Sequence, residues 1–493
     1  MKCSWSYWPL LKYLVPLALT IVIQDSAEQA LNRGLTSAQN STRVLASFGI
    51  GYNLIKFSTG PLMEIKHVGL VQVHSIPDSI KGLICVAGVA GTVVLVALLI
   101  GFTKLGYYVI DKVYNVQPDV GLLTRQCILY LCVFPLMDGT AWLYAGVLLQ
   151  HKHSMIVGTA SVVDIFTQIG VVAILLQTPL NYDNPMLIPV LALYSGCLIR
   201  LCIVMGGYFK FVHRKYKIAS PPNPQAKLTV GKVLWFWWPL ALVQAIQRIS
   251  RPIVNLFVAR DLKGTDEAVE ALAVLTVSYP VGRVPWGWLN EIKTIAPAFK
   301  KEALLLDGPR NRITPLKIRI FNACCLAFSL AIMFVVFWIP GIATSFLVNV
   351  LHVEPELAEL CVTPLRIFTF FAIPVATRAH LTSWLLVYKQ TKFVAPSAIV
   401  RLVTLIVTLI VLPLCGVHGA SHGVGALLAG FCGEALTVIA ASAYADYKRG
   451  KKKKNEEERS PDDDDHEDEN NQGVKKLPVS EESQSFLQEE SNV

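Results

Sequence analysis

Residues 235–262 have the sequence WFWWPLALVQAIQRISRPIVNLFVARDL, and this stretch decides the fold. It is apolar enough to lie in a lipid bilayer, and Pro239 stands near its start, where a helix tolerates proline best. It also contains five polar residues: Gln244, Gln247, Arg248, Arg251 and Asn255. At about 100° per residue these five fall within roughly 100° of one another, on one stripe of a helix. An arginine at bilayer depth costs on the order of 2.5–3.5 kcal/mol, so the stripe is expected to face a protein interior or a substrate path.

The rest of the chain has the composition of a membrane protein. Its 493 residues are 53% hydrophobic and 16% charged, whereas a soluble domain carries about 25% charged residues. Apolar runs of about 20 residues recur along almost the whole length, which predicts a polytopic helical membrane protein. We predict twelve transmembrane helices, at 10–33, 44–74, 82–102, 126–149, 155–178, 186–209, 235–259, 270–298, 319–340, 359–388, 393–414 and 419–446.

A weaker copy of the opening stretch occurs near the N-terminus. Pro16-Leu17-Ala18-Leu19 repeats as Pro239-Leu240-Ala241-Leu242, at an offset of 223 residues. Glu64-Ile65-Lys66 repeats as Glu291-Ile292-Lys293, at an offset of 227 residues, and one insertion explains both blocks. Many secondary transporters consist of two such related halves. The predicted fold class is therefore an all-α polytopic membrane protein with two six-helix pseudo-repeats and an alternating-access architecture.

The predicted organisation has four parts: an N-terminal half at 1–209, a basic proline-containing linker at 210–234, a C-terminal half at 235–446 and a tail at 447–493. The tail is basic and then acidic, and we expect it to be disordered. Residues after Lys454 carry a net charge of −11 and the whole chain +9, so the preceding residues carry +20. A body this basic suits anionic lipid headgroups, an anionic cargo, or both.

Basic residues also predict the orientation. They concentrate in the 210–232 and 300–319 loops and at 447–454, which places the linker and both termini in the cytoplasm. Asn40 then begins a glycosylation sequon on the outside, although so short a motif is frequent by chance.

Two predicted spans are long and interrupted. Gly60-Pro61 breaks the second, and Pro280, Pro285 and Gly287 break the eighth. Interrupted segments at corresponding places in two halves indicate a binding site. Arg283 lies beside this break, where a broken backbone can expose amide groups to a ligand.

The C-terminal half is richer in intramembrane arginine than the N-terminal half. Arg283, Arg366 and Arg378 are further substrate-path candidates. Planar guanidinium groups bind phosphate and carboxylate oxygens in pairs, so a polyanion is a better cargo than a cationic drug. Taken singly, each is more often structural than cargo-binding. Arg401 and Glu434 are expected to be structural.

A second polar stripe lies in the first predicted helix. Its residues are Gln24, Asp25, Glu28 and Asn32, which also fall within about 100°. One interpretation is that Asp25 or Glu28 binds a proton or cation while Arg248 and Arg251 bind an anion. The alternative is a buried ion-pair network that holds the halves together. Asp138 of the fourth helix is a further coupling or ion-pair candidate.

Enzymatic motifs are lacking. The sequence contains no G-x-x-x-x-G-K-[ST], no H-E-x-x-H, no paired C-x-x-C and no nucleophile elbow. The 11 cysteines show no metal spacing and no disulfide framework. We therefore expect no enzymatic activity, no cofactor, no metal and no nucleic-acid partner. Small anions and membrane lipids are the expected partners.

Several motifs closely resemble the progressive ankylosis protein family. They are FWWPLAL at 236–242, QRISRPIVNLFV at 247–258, EQALNRG at 28–34, YPVG at 279–282, PLRIF at 364–368 and GVHGA at 416–420. The resemblance covers nearly the whole membrane body and fades at 36–43, 213–230 and 301–314 and in the tail. The two halves also resemble the multidrug and toxin extrusion superfamily, whose members work by alternating access.

The resemblance implies a plasma-membrane protein that raises extracellular pyrophosphate and so restrains mineral deposition. The implied cargo is pyrophosphate, ATP or another nucleoside triphosphate that is cleaved outside, or citrate and related dicarboxylates. The residues alone do not choose among these polyanions. A non-transporting regulator, a channel-like conduit for the same anions and a lipid flippase remain as alternatives.

Overall fold

The computed structural model describes residues 7–36, 41–112, 118–218, 228–262, 267–300, 303, 313–349 and 353–458. At some helix ends, including 24–36 and 41–46, it describes the backbone alone. The described residues contain helices and no strand. This confirms the predicted all-α class.

Sixteen main helices follow one another in the part of the chain that the structure describes. In the N-terminal half they are α1 (Trp8–Thr36), α2 (Ser41–Met63), α3 (Ile65–Val71), α4 (Ile76–Phe102), α5 (Pro118–Tyr130), α6 (Phe134–Gln150), α7 (Ser154–Leu175) and α8 (Leu187–Tyr208). In the C-terminal half they are α9 (Val230–Asp261), α10 (Glu267–Gly287), α11 (Pro315–Trp338), α12 (Ile342–Asn349), α13 (Pro355–Phe368), α14 (Ala372–Val387), α15 (Ala395–Leu414) and α16 (Gly419–Glu458). Shorter helical pieces are Lys104–Gly106, Tyr107–Lys112, Leu180–Asp183, Phe209–His213, Arg214–Ile218, Trp288–Thr294, Ile295–Ala298, Thr369–Phe371 and Thr391–Phe393.

Local chemistry fixes where several helices begin. Ser75 caps α4, Thr229 caps α9 and Thr314 caps α11, because each hydroxyl oxygen accepts a hydrogen bond from the backbone N–H three residues later. Pro77 and Pro315 occupy the first turns of α4 and α11, where the missing N–H has no cost.

Seven helices are long and apolar enough to cross a membrane, or eight if the bent pair α5–α6 is one span, within the described residues. This pair changes direction by 43° at its break. The first two spans of each half, formed by α1, α2 with α3, α9 and α10, are not among these seven, and for α1 and α2 only the side chains of 8–23 and 47–63 are described. These four carry the polar stripes and the interruptions. The count of twelve therefore stays a prediction, although every predicted span is largely helical.

Both predicted spans are interrupted, but the prediction of where was wrong, because the helices continue through Gly60-Pro61 and through Pro280 and Pro285. The second span breaks at Glu64, between α2 and α3. The eighth changes from α10 into the 3-10 turn Trp288–Thr294 and then the short helix Ile295–Ala298. The breaks coincide with the repeated Glu-Ile-Lys sequence in both halves.

The chain forms two compact units, residues 1–443 and 444–493. The larger apolar core of the first unit combines residues of both halves, including Leu148, Trp286 and Phe431. A smaller core lies within the N-terminal half and includes Phe48 and Leu193. The helix α16 ends at Glu458, beyond the predicted boundary at residue 446.

Candidate functional site

A cavity lies between the two halves, and we call it the central cavity. Helix α9 contributes Gln244, Gln247 and Arg248 to its wall. Arg283 of α10 and Arg378 of α14 line the same cavity. Five of the eight substrate-path residues predicted from the sequence thus come together in one place.

The other three candidates lie elsewhere. The guanidinium of Arg251 stands 3.5 Å from the ring centroid of Tyr279, and the side chain of Asn255 is exposed. Arg366 donates a hydrogen bond from Nε to the carbonyl oxygen of Phe337 at 3.4 Å. The polar stripe of α9 therefore extends beyond the cavity, so helical periodicity alone overestimates the site by about one turn.

Arg248 occupies the junction between the central cavity and a neighbouring one. It lines both cavities. Its Nη2 donates to the Sδ of Met63 at 3.5 Å, and a thioether sulfur is only a weak acceptor. A Cβ at Gly60 would lie 3.0 Å from the Nε of Arg248, so the missing side chain leaves room for the guanidinium. Arg248 is thus held beside the broken segment of α2.

The central cavity is positively charged. Its described wall contains six cationic side chains and three carboxylates, a surplus of three positive charges. The cations are Lys56, Lys66, Arg248, Arg283, Lys293 and Arg378, and the carboxylates are Glu64, Glu291 and Glu434. Low-dielectric walls strengthen such a field, and a cleft of one sign concentrates counter-ions of the other.

Three charged residues from α14, α15 and α16 form a cluster that we call the C-half triad. Glu434 is fully buried, and its two oxygens each accept from a guanidinium at 2.7 Å, one from Arg378 and one from Arg401. Gln247 adds a hydrogen bond to the same carboxylate at 3.1 Å. One negative and two positive charges leave this triad at +1.

A corresponding cluster, the N-half triad, comes from α6, α7 and α8. The guanidinium of Arg200 contacts Asp138, and it lies 3.6 Å from the Oδ2 of Asp164. Gln168 donates to the other oxygen of Asp164 at 2.7 Å. All three charged residues line a second cavity next to the central one. Two negative and one positive charge leave this triad at −1.

The repeated Glu-Ile-Lys sequences pair with each other across the two halves. Lys66 Nζ lies 2.8 and 3.0 Å from the carboxylate oxygens of Glu291. Lys293 Nζ lies 2.8 and 3.0 Å from those of Glu64. The lysine of each half thus binds the glutamate of the other, and we call these contacts the reciprocal pairs. All four side chains are largely buried.

The next position breaks this symmetry. His67 follows Lys66, and its Nε2 lies 3.3 Å from the Oε2 of Glu64. The equivalent residue, Thr294, instead donates to the carbonyl oxygen of Glu291 at 2.7 Å. The two halves are therefore related by sequence without being chemically identical.

Titratable groups also meet where the turn after α3 approaches the turn after α14. Partial burial lowers the pKa of His74 from its ordinary value, and the ammonium of Lys389 lowers it further. Partial burial likewise lowers the pKa of Lys389, with Lys300 adding to the effect. The turns from both halves thus place positive charge close together.

The side chains of Gln24, Asp25, Glu28 and Asn32, together with Asn40, lie outside the described residues. The predicted pairing of the acidic stripe with the α9 arginines therefore stays a prediction. Within the described residues, no group of three His, Cys, Asp or Glu side chains is placed to hold a metal ion.

Three features of the site were missed from the sequence. The repeat was recognised, but the pairing of its lysines with the opposite glutamates was not. Glu434 was expected to be purely structural, yet it lines the central cavity. The grouping of Asp138, Asp164 and Arg200 into the N-half triad was not foreseen either. The available signal was the recurrence of Glu-Ile-Lys at two helix breaks, because a pseudo-two-fold brings equivalent positions together.

The helix arrangement is that of a membrane transporter of the MATE type. The eukaryotic MATE transporter AtDTX14 is 12% identical, with a TM-score of 0.64 over 88% of this chain and 96% of that one. A MOP superfamily transporter from Pyrococcus furiosus, described as having a binding pocket of reverse polarity, is 13% identical, with a TM-score of 0.61 over 90% and 96%. A mutant of the Vibrio cholerae MATE transporter VcmN is 12% identical, with a TM-score of 0.62 over 89% and 97%. Similarity at these identities concerns the fold.

The sequence comparison is more specific than the fold. The family model of the progressive ankylosis protein (ANKH) matches residues 1–339. The chain therefore belongs to this family, as its motifs predicted, and is a multi-pass membrane protein with a transporter fold.

Proposed function

We propose that the protein is a multi-pass plasma-membrane exporter that moves polyanions from the cytosol to the outside by alternating access. The cargo class comprises pyrophosphate, ATP and other nucleoside triphosphates, and citrate and related dicarboxylates. Export of pyrophosphate, or of a nucleotide cleaved to it outside, raises extracellular pyrophosphate and inhibits mineral deposition.

The charge of the central cavity carries this proposal. Six cationic side chains against three carboxylates give a surplus that a multiply charged anion balances. Arginine supplies paired N–H donors that match phosphate and carboxylate oxygens, and three of the six cations are arginines. A cationic cargo would have to overcome this field.

The proposed orientation places the basic loops in the cytoplasm. The reciprocal pairs lie close to this end, since they precede the 72–75 turn and the 300–319 loop in the chain. With this orientation, the conformation described above is closed toward the cytoplasm. Contacts that seal one end favour a carrier over an open conduit.

Efflux from sealed liposomes tests the proposal. Purified protein is reconstituted with labelled pyrophosphate, ATP or citrate inside, and the variant Arg248→Gln plus Arg283→Gln is compared with Arg366→Gln. Arg366 is a matched control because it is an intramembrane arginine away from the central cavity. We expect efflux of at least one anion, loss of that efflux in the double variant and retention in the control.

The remaining outcomes identify the alternatives. Fluxes far above those of carriers, with single-channel currents, would establish a conduit. Transfer of labelled lipid between leaflets without anion efflux would establish a flippase. Absence of any flux under several ion gradients would contradict the proposal and favour a regulator of another permeability.

A further inference from the structure

The reciprocal pairs join the two halves at a place where each half is internally rigid. In the N-terminal half, α3 packs backbone to backbone on α6. A Cβ at Gly146 would lie 1.9 Å from the carbonyl oxygen of Lys66, and one at Gly69 would lie 2.3 Å from that of Leu143. Such contacts leave no space for sliding, so Glu64 and Lys66 move with the N-terminal half.

The matching turn is anchored to the C-terminal half by side chains. Asn290 accepts a hydrogen bond from Arg378 through its Oδ1. Arg378 in turn binds Glu434 of α16 at 2.7 Å. The Glu291 and Lys293 side chains therefore follow α14 and α16, and a motion that parts the two halves at this place separates both pairs together.

An apolar contact lies beside the pairs. Tyr13 of α1 packs edge-on against Phe299, with ring centroids 5.5 Å apart. Lys152 holds its Nζ 4.9 Å from the centroid of the same Phe299 ring. These residues come from both halves, and the hydroxyl of Tyr13 donates to the carbonyl oxygen of Thr294 at 3.5 Å, which places this contact next to the second Glu-Ile-Lys sequence.

The ionic partners also face the space where the cargo is proposed to bind. The four side chains of the reciprocal pairs line the central cavity together with Arg248 and Arg283. A buried ion pair gains little net free energy, because desolvation offsets attraction. A multiply charged anion in this cavity competes with Glu64 and Glu291 for the two lysines, and the carboxylates that lose their partners must be hydrated as the two halves separate.

We propose that the reciprocal pairs are the gate at this end of the central cavity, and that an anionic cargo opens it by replacing Glu64 and Glu291 as the partner of Lys293 and Lys66. The two lysines then bind cargo in one state and close the gate in the other. The second part of this inference rests on the proposed function, because it requires a polyanion in the cavity.

Thiol labelling tests the gate without any cargo. A cysteine introduced by Gln244→Cys lies in the cavity wall, and a membrane-impermeant maleimide is added from the side of the 72–75 turn. The parent chain without this cysteine measures the labelling of native thiols. We expect Lys293→Glu to raise the labelling rate about tenfold, because two carboxylates then face each other and the closed state is disfavoured.

Restoring the pair with exchanged charges provides the matched control. Glu64→Lys combined with Lys293→Glu reverses both charges and is expected to return labelling to the parent rate. Glu64→Gln is a milder change and is expected to open the gate in the same direction if the reversal prevents folding. Unchanged labelling in Glu64→Gln and Lys293→Glu, or failure of the exchange to restore it, would overturn the gate.

Inorganic pyrophosphate tests the role of the cargo. Added on both sides of the membrane, it is expected to raise labelling in the Gln244→Cys chain severalfold and to cause no further rise when Lys66→Gln and Lys293→Gln are present. If pyrophosphate is transported but leaves labelling unchanged, cargo-driven opening is wrong while the proposed function stands. If charge reversal opens the gate but none of pyrophosphate, ATP and citrate is transported, the gate stands and the proposed function is wrong.

Discussion

The N-half and C-half triads are built alike and charged in opposite ways. In each, the sixth predicted span of a half supplies a central residue that joins residues from the fourth and fifth spans. Arg200 joins Asp138 and Asp164 in one half. Glu434 joins Arg378 and Arg401 in the other. All six side chains are buried.

The inversion shows how two related halves acquire different electrostatics without changing their packing. Each triad pairs most of its charge internally, which offsets the cost of burying it. The residual sign is negative in the N-terminal half and positive in the C-terminal half. The sequence shows that the C-terminal half is rich in intramembrane arginine. In the N-terminal half, the equivalent positions of the triad carry charges of the opposite sign.

The largest effect is expected from removing a central residue of a triad. Glu434→Gln and Arg200→Met each leave two like charges buried without their partner, at a cost of about 3–5 kcal/mol of stability. Thermal unfolding of purified protein in detergent measures this loss. Glu359→Gln, on the exposed side of α13, is the control and is expected to change stability by less than about 0.5 kcal/mol. A tolerated Glu434→Gln would show that the C-half triad is not an ionic cluster.

The next effect concerns cargo affinity and tests whether the positive half attracts the anion. Arg248→Gln is expected to weaken pyrophosphate binding roughly tenfold to a hundredfold, since hydrogen bonds to charged groups contribute about 1.5–3 kcal/mol. Arg248→Lys is expected to recover only part of this, because lysine lacks the planar fork. Binding is measured by calorimetry, with Arg366→Gln as the unaffected reference. Equal affinities in all three variants would contradict the assignment of the cavity.

A smaller effect distinguishes the triads by the sign of their residual charge. In Arg200→Met the two partners left without the guanidinium are carboxylates, which can bind protons as the pH falls from 7.5 to 5. In Glu434→Gln they are guanidinium groups, which cannot lose theirs. Acidification is thus expected to raise the free energy of unfolding of Arg200→Met by about 1–2 kcal/mol and to leave that of Glu434→Gln unchanged. One pH unit of proton uptake by a single group corresponds to about 1.4 kcal/mol. Melting temperatures across this range provide the measurement, and a parallel recovery in Glu434→Gln would refute the inversion.

The smallest effect comes from outside the triads, which contain no histidine. Because the pKa of His74 is lowered in the folded protein, the unfolded chain binds a proton first as the pH falls below about 6.5. The stability that this group contributes is present above that pH and is lost as the pH falls toward the folded value. His74→Gln is therefore expected to lose less stability than the parent between pH 7 and 5.5. If the parent and His74→Gln lose the same stability in thermal melts, protonation of His74 does not contribute to the loss.

The sequence predicted the elements of the fold better than the contacts of the site. Apolar run length predicted the helices. Glycine and proline predicted that the second and eighth spans are interrupted, but the breaks lie at Glu64 and after Gly287, at the Glu-Ile-Lys repeats. Five of the eight substrate-path candidates line one cavity, because a helical stripe that is costly in lipid must face protein. Helix positions and the polar stripe depend on residues close together in the sequence, so the periodicity of a short stretch is enough to predict them.

The triads could not be found in the same way. Their equivalent residues are separated by 240, 237 and 234 positions, as in Asp138 with Arg378, Asp164 with Arg401 and Arg200 with Glu434. The offset drifts with loop length, and the paired residues have opposite charge. A search for identical residues at a fixed offset therefore passes over them. Only the packing of three helices against one another brings them together.

The reciprocal pairs also bear on how such a chain could arise. Two copies of a six-helix protein related by a two-fold axis make an isologous contact, in which each copy offers the same surface to the other. A Glu-Ile-Lys sequence suits such a contact, because its glutamate meets the lysine of the twin without any further change. An ancestral homodimer could have formed this joint before the two genes fused. The inverted triads require two different sequences, so their divergence would have followed duplication.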